Sequence, residues 1–365
     1  MSVAIVGGGL GGFVAYATLR HGGLSPDEIA VFDPDPDPLG SWLPRAAAIR
    51  QRRMRSESDG HCYPRSFPGL APREALRRGT LAPLLATACS RYRPTVDEFV
   101  SHVAELRART RWDESVVRAR IERVHAEDGG LALDAHGVFR HVLLAPGHPG
   151  LAVPDCLRHD ARVVHAYEPH EYAARVAVVG AGMAAATEWL NAVAAGAEVI
   201  SVRRRQPVRR PLNLPRPFFS KRGLAAYHRT PPAERSALLT SLLEPSYPPG
   251  SDWDGPLEQA RRDGRFRVAD EVGGAEQVVC ATGFRRGFQH DPLLRRLVEE
   301  YGLQTEGRWL VLAPDATVPS LTDERATLAV SGQPAQWAYP AADTIVGMKY
   351  VARRFLGRVL SCPTR

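Results

Sequence analysis

The sequence predicts an α/β protein made of two domains of the same construction, the second inserted within the first. A unit of short apolar strand, glycine-rich turn, helix and second strand begins at Val3 and occurs again at Arg175. The first strand of each unit is a continuous apolar run, which is typical of a parallel strand buried on both faces. A further apolar run, residues 277–280, leads into Ala281-Thr282-Gly283-Phe284, after which we expect the chain to return to the first domain. The predicted fold class is therefore two Rossmann-like domains, one interrupted by the other.

The order of these segments predicts the domain boundaries. Residues 1–150 are expected to form the first part of the first domain, residues 151–280 the inserted domain, and residues 281–365 the return segment. Between the two units, residues 96–109 are predicted to be helical and residues 116–144 to be hairpin-like.

Length and composition place the chain among globular proteins. Its 365 residues suit two domains, and its contents of 44% hydrophobic and 24% charged residues are ordinary for such a protein. No stretch approaches the run of about 20 apolar residues that a membrane span requires. The first residues enter a strand-like run without a basic leader segment. We expect a cytoplasmic protein that does not associate with membranes.

The cysteines and histidines do not form a recognisable metal or redox motif. The five cysteines are scattered, without a C-x-x-C pair and without a His/Cys cluster at metal-ligand spacing. The pattern argues against a dithiol redox centre and a structural zinc site, and we expect no metal. Any electrons that the protein transfers must then be carried by a cofactor.

The positive charge of the chain comes almost entirely from arginine. The formal net charge is +7, and the lysines are Lys221 and Lys349. A basic chain can indicate nucleic-acid binding. However, the sequence has neither a basic stripe interleaved with aromatic residues nor a helix-turn-helix or zinc-finger pattern. We therefore expect no nucleic-acid partner.

The first glycine-rich turn, residues 7–12, fits the dinucleotide-binding pattern G-x-G-x-x-G in its structural context. Gly7 permits the tight turn, Gly9 lets the backbone approach a pyrophosphate, and Gly12 lets the helix pack on the sheet. The N-terminus of the following helix offers free N–H groups and a positive dipole end to phosphate. Asp33 ends the next strand, where a carboxylate accepts the ribose hydroxyls.

The second turn, Gly180 to Ala185, is the G-x-G-x-x-A version of the same pattern, with Gly182 in the middle. Its following strand ends in arginines, Arg203 and Arg204, rather than in an acid. An acid at this position would repel a 2′-phosphate, whereas arginine pairs with it. The turn therefore predicts a preference for NADPH over NADH. The alternative is that these arginines form a solvated surface run.

Two nucleotide sites in one chain indicate an oxidoreductase, because one dinucleotide can stay bound as the redox carrier while the other delivers hydride. The two turns, about 170 residues apart, and the signature that contains Gly283 resemble the flavin-containing monooxygenases and the related lysine and ornithine N-hydroxylases. Gly40-Ser41-Trp42 is similar to the Gly-Gly-x-Trp that leads the chain over the flavin in that group, which assigns Trp42 to the cofactor site.

The resemblance implies a cofactor set and a reaction. FAD would occupy the first turn and NADPH the second. Molecular oxygen would be captured as a flavin hydroperoxide that oxygenates a nitrogen or sulfur of a small molecule, while the protein orients the reactants and excludes water.

The chain departs from the family pattern at several places, among them the Asn-Ser that the family has near the flavin, for which residues 54–57 offer no asparagine. The fingerprint F-x-G-x-x-x-H-x-x-x-Y/F is matched only at His165, and Pro146 stands where the family usually has threonine. Two alternatives therefore stay open. One is an NADPH-dependent flavin oxidoreductase or oxidase that inserts no oxygen, and the other is a non-catalytic, nucleotide-binding redox sensor.

Candidates for the reactive region come from two loops and the tail. His61 could line the reactive face of the flavin, although a lone loop histidine is more often exposed or structural. Asn213 lies in the loop-rich segment 203–254, where N-hydroxylases place substrate contacts, although a turn asparagine is the simpler interpretation. Residues 339–360 are predicted to form one amphipathic helix with Asp343 and Thr344 in its first turn. In this fold class its dipole would stabilise the reduced flavin.

Overall fold

The computed structural model describes residues 2–54, 61–62, 69–88, 92–204, 206, 208–209, 214–247 and 254–361. Its helices, in chain order, are α1 (Leu10–His21), α2 (Leu43–Ala48), α3 (Ala71–Arg78), α4 (Ala82–Ala88), α5 (Val96–Thr110), α6 (Met183–Ala194), α7 (Lys221–Arg229), α8 (Pro232–Leu242), α9 (Asp254–Arg262), α10 (Pro292–Tyr301) and α11 (Ile345–Ser361).

Two parallel sheets of five strands form the frame of the molecule, and in each the strand before the glycine-rich turn is central. The first sheet has the order β17 (Thr327–Val330), β7 (His141–Leu144), β1 (Val3–Val6), β2 (Ile29–Phe32) and β3 (Val116–Val117). The second has the order β13 (Phe266–Ala269), β10 (Glu198–Val202), β9 (Arg175–Val179), β14 (Gln277–Cys280) and β8 (Val163–His165).

The remaining strands of the described residues form three small sheets outside this frame. Strands β4 (Val124–Glu127), β5 (Gly130–Leu133) and β6 (Val138–Phe139) are antiparallel. Strands β11 (Val208–Arg209) and β12 (Ser246–Tyr247) pair in parallel, and β15 (Thr305–Glu306) pairs with β16 (Trp309–Leu310) in antiparallel fashion.

All strands of the second sheet lie in sequence between β7 and β17 of the first, so the predicted fold class is confirmed. The chain passes between the sheets twice, and the two passages meet where Leu151 forms an isolated antiparallel bridge with Phe284. The predicted boundaries after residues 150 and 280 lie beside this bridge. The two covalent connections between the domains therefore lie side by side.

Local signals in the sequence account for one predicted helix and fail for another. Helix α5 begins after Thr95, whose Oγ1 accepts the N–H of Glu98 at 3.2 Å and so caps the helix.

The prediction of a single helix from residue 339 is wrong, because α11 begins only at Ile345. Thr344 precedes it, and its Oγ1 accepts the N–H of Gly347 at 3.2 Å. A capping residue stands outside the helix that it caps, so Asp343 and Thr344 do not lie in its first turn.

The predicted hairpin over residues 116–144 is correct only in its middle. Strands β4, β5 and β6 are antiparallel, but β3 and β7 at the two ends are parallel strands of the first sheet. Residues 141–144 are fully apolar after the first position and completely buried, which is the pattern of a central parallel strand. The alternation of apolar and polar residues that indicates a hairpin therefore does not continue into residues 141–144.

A buried ion pair stabilises the inserted domain beside α6. His170 Nε2 lies 3.0 Å from Glu188 Oε2, and His170 Nδ1 lies 2.8 Å from the carbonyl oxygen of Glu168. Both side chains are almost completely buried. Because both ring nitrogens face acceptors, the arrangement favours the doubly protonated imidazole. Burial opposes that charge, but the hydrogen bonds to Glu188 and Glu168 outweigh it and raise the pKa of His170.

We predict that this ion pair makes the stability of the protein depend on pH. Because the pKa of His170 is raised on folding, its contribution is complete below the unfolded histidine pKa of about 6.5 and is lost as the pH rises through the folded value. The difference in unfolding free energy between wild type and His170→Gln, measured in urea at several pH values, should therefore shrink from acidic to alkaline pH. A difference that stays constant with pH would show that folding does not shift the pKa of His170, and one that grows with pH would show that the ring is neutral in the folded protein.

Candidate functional site: two dinucleotide turns

The first glycine-rich turn rests against the end of the neighbouring strand β7. Gly7 has a φ of +111°, and a β-carbon at this position would lie 2.2 Å from the carbonyl oxygen of Ala145. A β-carbon on Gly12 would lie 1.9 Å from the carbonyl oxygen of Gly7. The turn is thus closed on its inner side, and any larger residue at either position would separate it from the sheet.

The outer side of the same turn is open. Gly9 is the N-cap of α1 without a side-chain cap, and a β-carbon there would have no atom within 4 Å. Ser331, directly after β17, is buried, and its Oγ has no hydrogen-bond partner in the structure. A β-carbon on Gly11 would lie 3.8 Å from this oxygen. An open helix N-terminus beside a buried, unsatisfied hydroxyl is suited to hold an oxygen-rich anionic group.

Asp33 closes the far side of the first turn. Its Oδ2 accepts the N–H of Gly8 at 2.6 Å, and its Oδ1 accepts the N–H of Asp35 at 2.8 Å. The carboxylate is therefore fixed at the carboxyl end of β2, half-buried beside the turn. This is the place where the sequence predicts a contact with ribose hydroxyls.

The second turn repeats this construction on the second sheet. Gly180 has a φ of +140°, and a β-carbon there would lie 2.5 Å from the carbonyl oxygen of Ala281, which follows the neighbouring strand β14. Gly182 is the N-cap of α6, has no side-chain cap and faces open space, while Ala185 is completely buried. Ala281 therefore has the role in this domain that Ala145 has in the first.

The two arginines after β10 differ in their surroundings. The guanidinium of Arg203 lies 5.7 Å from the centre of the Trp189 ring, and Arg203 is half-buried. Arg204 is exposed. The structure thus holds one arginine against α6 at the carboxyl end of β10, beside the second turn, and leaves the other facing solvent.

An aromatic cluster occupies the two passages between the domains. The ring of Phe284 stacks on His148 with centroids 4.0 Å apart and on Tyr167 at 5.0 Å. The guanidinium of Arg45, in α2, lies 5.0 Å from the centre of the same ring. Gly283, immediately before Phe284, has a φ of +76°. The Ala-Thr-Gly-Phe segment therefore meets residues from both domains.

His165 holds this segment in position. Its Nδ1 accepts the N–H of Tyr167 at 3.1 Å, so its Nε2 carries the proton and donates to the carbonyl oxygen of Gly283 at 3.1 Å. Burial lowers the pKa of His165 despite the neighbouring Glu168, which favours this neutral form. The single match to the monooxygenase fingerprint thus has both ring nitrogens engaged by the backbone.

The charge of Asp343, near the start of α11, acts on the half-buried His148. Within the described part of the chain, the Nδ1 of His148 has no hydrogen-bond partner, and burial lowers the pKa of His148 to about 4, an effect that the charge of Asp343 opposes. Close to them, Arg286 donates to Gln336 Oε1 at 3.1 Å. The polar groups of this region come from four separate chain segments, which sequence spacing could not reveal.

The remaining predicted site residues lie elsewhere in the first domain or cannot be placed. Trp42 packs edge-to-face on Phe99 of α5, with ring centroids 5.4 Å apart. His61 lies against His102 of the same helix at 4.2 Å, and burial lowers the pKa of His102 to about 3. The structure therefore gives His61 an intradomain contact. Asn213 lies outside the described residues.

In the parts of the chain that the structure describes, no group of three or more His, Cys, Asp or Glu side chains could hold a metal ion. In the same residues, no helix combines the length and apolar character needed to cross a membrane.

Ser331 and His148 are candidate site residues that the sequence interpretation missed. Ser331 follows the apolar run Thr327–Val330, so recognising that run as a third strand of the first sheet would have placed it at the same edge as Gly7. His148 has no comparable local signal, because the groups around it are distant in sequence.

Solved structures match this chain along nearly its whole length, whereas neither a protein-family model nor a curated protein matches it. Ornithine hydroxylase (PvdA) from Pseudomonas aeruginosa has 16% sequence identity and a TM-score of 0.67, with 98% of this chain and 99% of that chain covered. Kutzneria sp. 744 ornithine N-hydroxylase, KtzI, has 15% identity and a TM-score of 0.71, with 99% and 98% covered. Bacillithiol disulfide reductase Bdr (YpdA) from Bacillus cereus has 14% identity and a TM-score of 0.59, also with 99% and 98% covered.

These comparisons establish the fold. The chain has the two-domain architecture of the ornithine N-hydroxylases and of the disulfide reductase, with the second domain inserted in the first. The predicted resemblance to this superfamily is confirmed at the level of the fold. Sequence identities of 14 to 16% support a conclusion about the fold alone.

We predict that the two glycines of the second turn respond differently to the same substitution. Gly180→Ala should lower the free energy of unfolding by at least about 1–3 kcal/mol, because the new methyl group meets the Ala281 carbonyl and the φ is strained. Gly182→Ala, the matched control, should cost no more than about 1 kcal/mol, because its methyl group points into open space. Urea denaturation of both variants measures the difference, and equal losses would contradict the geometry of the turn.

Proposed function

We propose that this protein binds FAD at the first turn and NADPH at the second, and that it is an NADPH-dependent flavin monooxygenase acting on a nitrogen or sulfur of a small molecule. The observation that supports it best is the repetition of one open glycine-rich turn on two separate sheets. The first turn has an acid at the end of the next strand, Asp33, and the second has arginines, Arg203 and Arg204. This pairing suits two different dinucleotides.

The first turn has groups that fit FAD. The open N-terminus of α1 at Gly9 would receive the pyrophosphate, Ser331 would donate its unsatisfied hydroxyl, and Asp33 would accept the ribose hydroxyls. When bound, FAD would supply the hydride acceptor and the reaction with oxygen that no side chain of the protein provides. The protein itself would bind, orient and exclude water.

The second turn has groups that fit NADPH. Gly182 leaves the N-terminus of α6 free for the pyrophosphate, as Gly9 does in the first domain. Arg203 is held against Trp189 and would pair with the 2′-phosphate, with Arg204 as a second, solvent-facing cation. Stacking on the indole restricts the guanidinium, which lowers the entropy lost on binding.

The region around Phe284 would lie between the two dinucleotides. It combines neutral histidines, His148 and His165, with the arginines Arg45 and Arg286. His165 orients the backbone of Gly283, and the stacked rings limit the access of water. Asp343 and Thr344 would mark the flavin side of this region, just before α11.

The segment after the second unit would cover the substrate. Tyr227 donates its hydroxyl hydrogen to the carbonyl oxygen of Trp337 at 3.1 Å, and His228 Nε2 lies 2.7 Å from that of Ala338. Arg235 lies 5.0 Å from the centre of the Trp337 ring. Helices α7 and α8 are thus fastened to the return segment beside α11, and the proposal places the small-molecule cleft beneath them.

An NADPH-dependent flavin oxidoreductase that inserts no oxygen is the second candidate. It is favoured by His165, whose ring nitrogens are both engaged by the backbone and so are not available for a reaction. Reduction of a disulfide through Cys280 is disfavoured, because burial raises the pKa of this thiol to about 11 and keeps it protonated. Oxygen accounting separates the two candidates.

We predict that the purified protein, loaded with FAD, shows flavin absorbance that bleaches on anaerobic mixing with NADPH, and more slowly with NADH. When oxygen and candidate amines or sulfides are added, a monooxygenase should transfer the isotope of labelled oxygen to the product. Labelled oxygen that appears only in hydrogen peroxide would establish the second candidate. A protein that cannot be loaded with FAD would contradict the proposal as a whole.

We also predict that the arginines after β10 determine the choice of cofactor. Replacing Arg203 and Arg204 together by alanine should weaken NADPH binding about 10–100-fold, because a charge-assisted hydrogen bond contributes about 1.5–3 kcal/mol. The affinity for NADH should not change. Arg175 is the first residue of β9 and lies at the end of the sheet opposite to Arg203 and Arg204. Arg175→Ala is the matched control and should leave the dissociation constants for NADPH and NADH unaltered. Equal losses for NADPH and NADH in calorimetric titrations would assign these arginines to general folding.

A further inference from the structure

The short helix α2 connects the two domains outside the covalent passages. At its beginning, Trp42 packs on Phe99 of the first domain with ring centroids 5.4 Å apart. In its middle, Arg45 lies over the ring of Phe284 at 5.0 Å. At its end, Ile49 and Arg50 reach the inserted domain. We call α2 together with these two residues the domain bridge.

Ile49 belongs to the hydrophobic core of the inserted domain, although the chain around it belongs to the first. Its side chain is completely buried in the cluster that contains Trp189 and Ala192 of α6. The side-chain amide of Asn191, also on α6, donates to the carbonyl oxygen of Ile49 at 2.8 Å. One residue is thus held by both an apolar contact and a hydrogen bond.

Arg50 adds an electrostatic contact in an uncommon backbone conformation. Its φ is +51°, a region that residues other than glycine seldom adopt and that the surroundings must enforce. The guanidinium lies 5.0 Å from the centre of the Tyr172 ring, and its Nη2 lies 3.0 Å from Glu171 Oε2. Arg50 therefore makes an ion pair and a cation–π contact with two consecutive residues of the inserted domain, Glu171 and Tyr172.

The surface that receives Arg50 is itself fixed. The hydroxyl of Tyr172 donates to Glu188 Oε2 at 2.8 Å, and the same oxygen lies 3.0 Å from His170 Nε2. Glu188 is completely buried on α6, the helix that begins at the second glycine-rich turn. A displacement of Arg50 relative to Tyr172 would therefore be a displacement relative to the second turn.

We propose that the domain bridge fixes the inserted domain on the first, and that Arg50 is a positioning residue for hydride transfer between the two sites. The second part rests on the proposed function. Hydride transfer needs reacting atoms about 3–3.5 Å apart, so a small displacement of one domain lowers the rate strongly. NADPH affinity is decided within the inserted domain and does not depend on this position.

The test compares Arg50→Glu with Arg52→Glu, a matched change at an exposed side chain two residues away. Arg50→Glu should lower the rate constant of flavin bleaching at saturating NADPH at least tenfold and increase the radius of gyration in small-angle X-ray scattering. Its dissociation constant for NADPH should stay within twofold of the wild type. Arg52→Glu should behave as the wild type. The charge exchange Arg50→Glu with Glu171→Arg should recover most of the rate, because it restores an ion pair with the opposite polarity.

The readouts separate failure of the bridge from failure of the proposed function. If Arg50→Glu is reduced as fast as Arg52→Glu, or if its NADPH affinity falls in proportion to its rate, Arg50 is not a positioning residue. If the flavin of the wild type is not reduced by NADPH, the proposed function fails. Independently of that result, an unchanged radius of gyration in Arg50→Glu would overturn the proposal that the domain bridge fixes the inserted domain. Arg50→Ala, which removes the cation without placing a second negative charge beside Glu171, replaces Arg50→Glu should that variant fail to fold.

Discussion

The contact between each glycine-rich turn and the end of the adjacent parallel strand determines the rest of this structure. Gly7 lies against the carbonyl of Ala145, and Gly180 lies against that of Ala281, at distances that leave no room for a β-carbon. Because the inner side of each turn is closed, the helix that follows starts at the carboxyl edge of its sheet with its first N–H groups facing outward. The position of each candidate nucleotide site follows from this one steric constraint.

The residues that close the two turns also begin the passages between the domains. Ala145 leads towards His148, and Ala281 leads towards Phe284, so the two passages meet with the rings of these residues stacked 4.0 Å apart. The same packing that shapes each nucleotide turn therefore directs the chain to the junction. The domain bridge contacts both parts of this junction, because Arg45 lies over the ring of Phe284 and Ile49 is buried in the core of the inserted domain.

Burial assigns different protonation states to histidines that look alike in the sequence. Burial lowers the pKa values of His148 and His165 although the charges of Asp343 and Glu168 oppose it, so both rings are neutral. His170 is buried too, but Glu188 lies 3.0 Å away and its pKa is raised. Desolvation alone favours the neutral ring, whereas a carboxylate in hydrogen-bonding contact reverses the outcome. The junction between the domains therefore contains the neutral rings of His148 and His165, whereas the ion pair of His170 with Glu188 lies within the inserted domain.

The sequence by itself determined the features that depend on neighbours in the chain. The two turns, their strands and helix α5 were predicted correctly, because apolar runs, glycine spacing and a capping threonine are local signals. Only the tertiary structure decided the start of α11, the burial of Ile49 in the core of the inserted domain, and the contacts of His61. Ile49 and its partner Asn191 are 142 residues apart, and no local pattern encodes such a meeting. A contact of this kind depends on how two completed domains pack, so it follows from the fold as a whole.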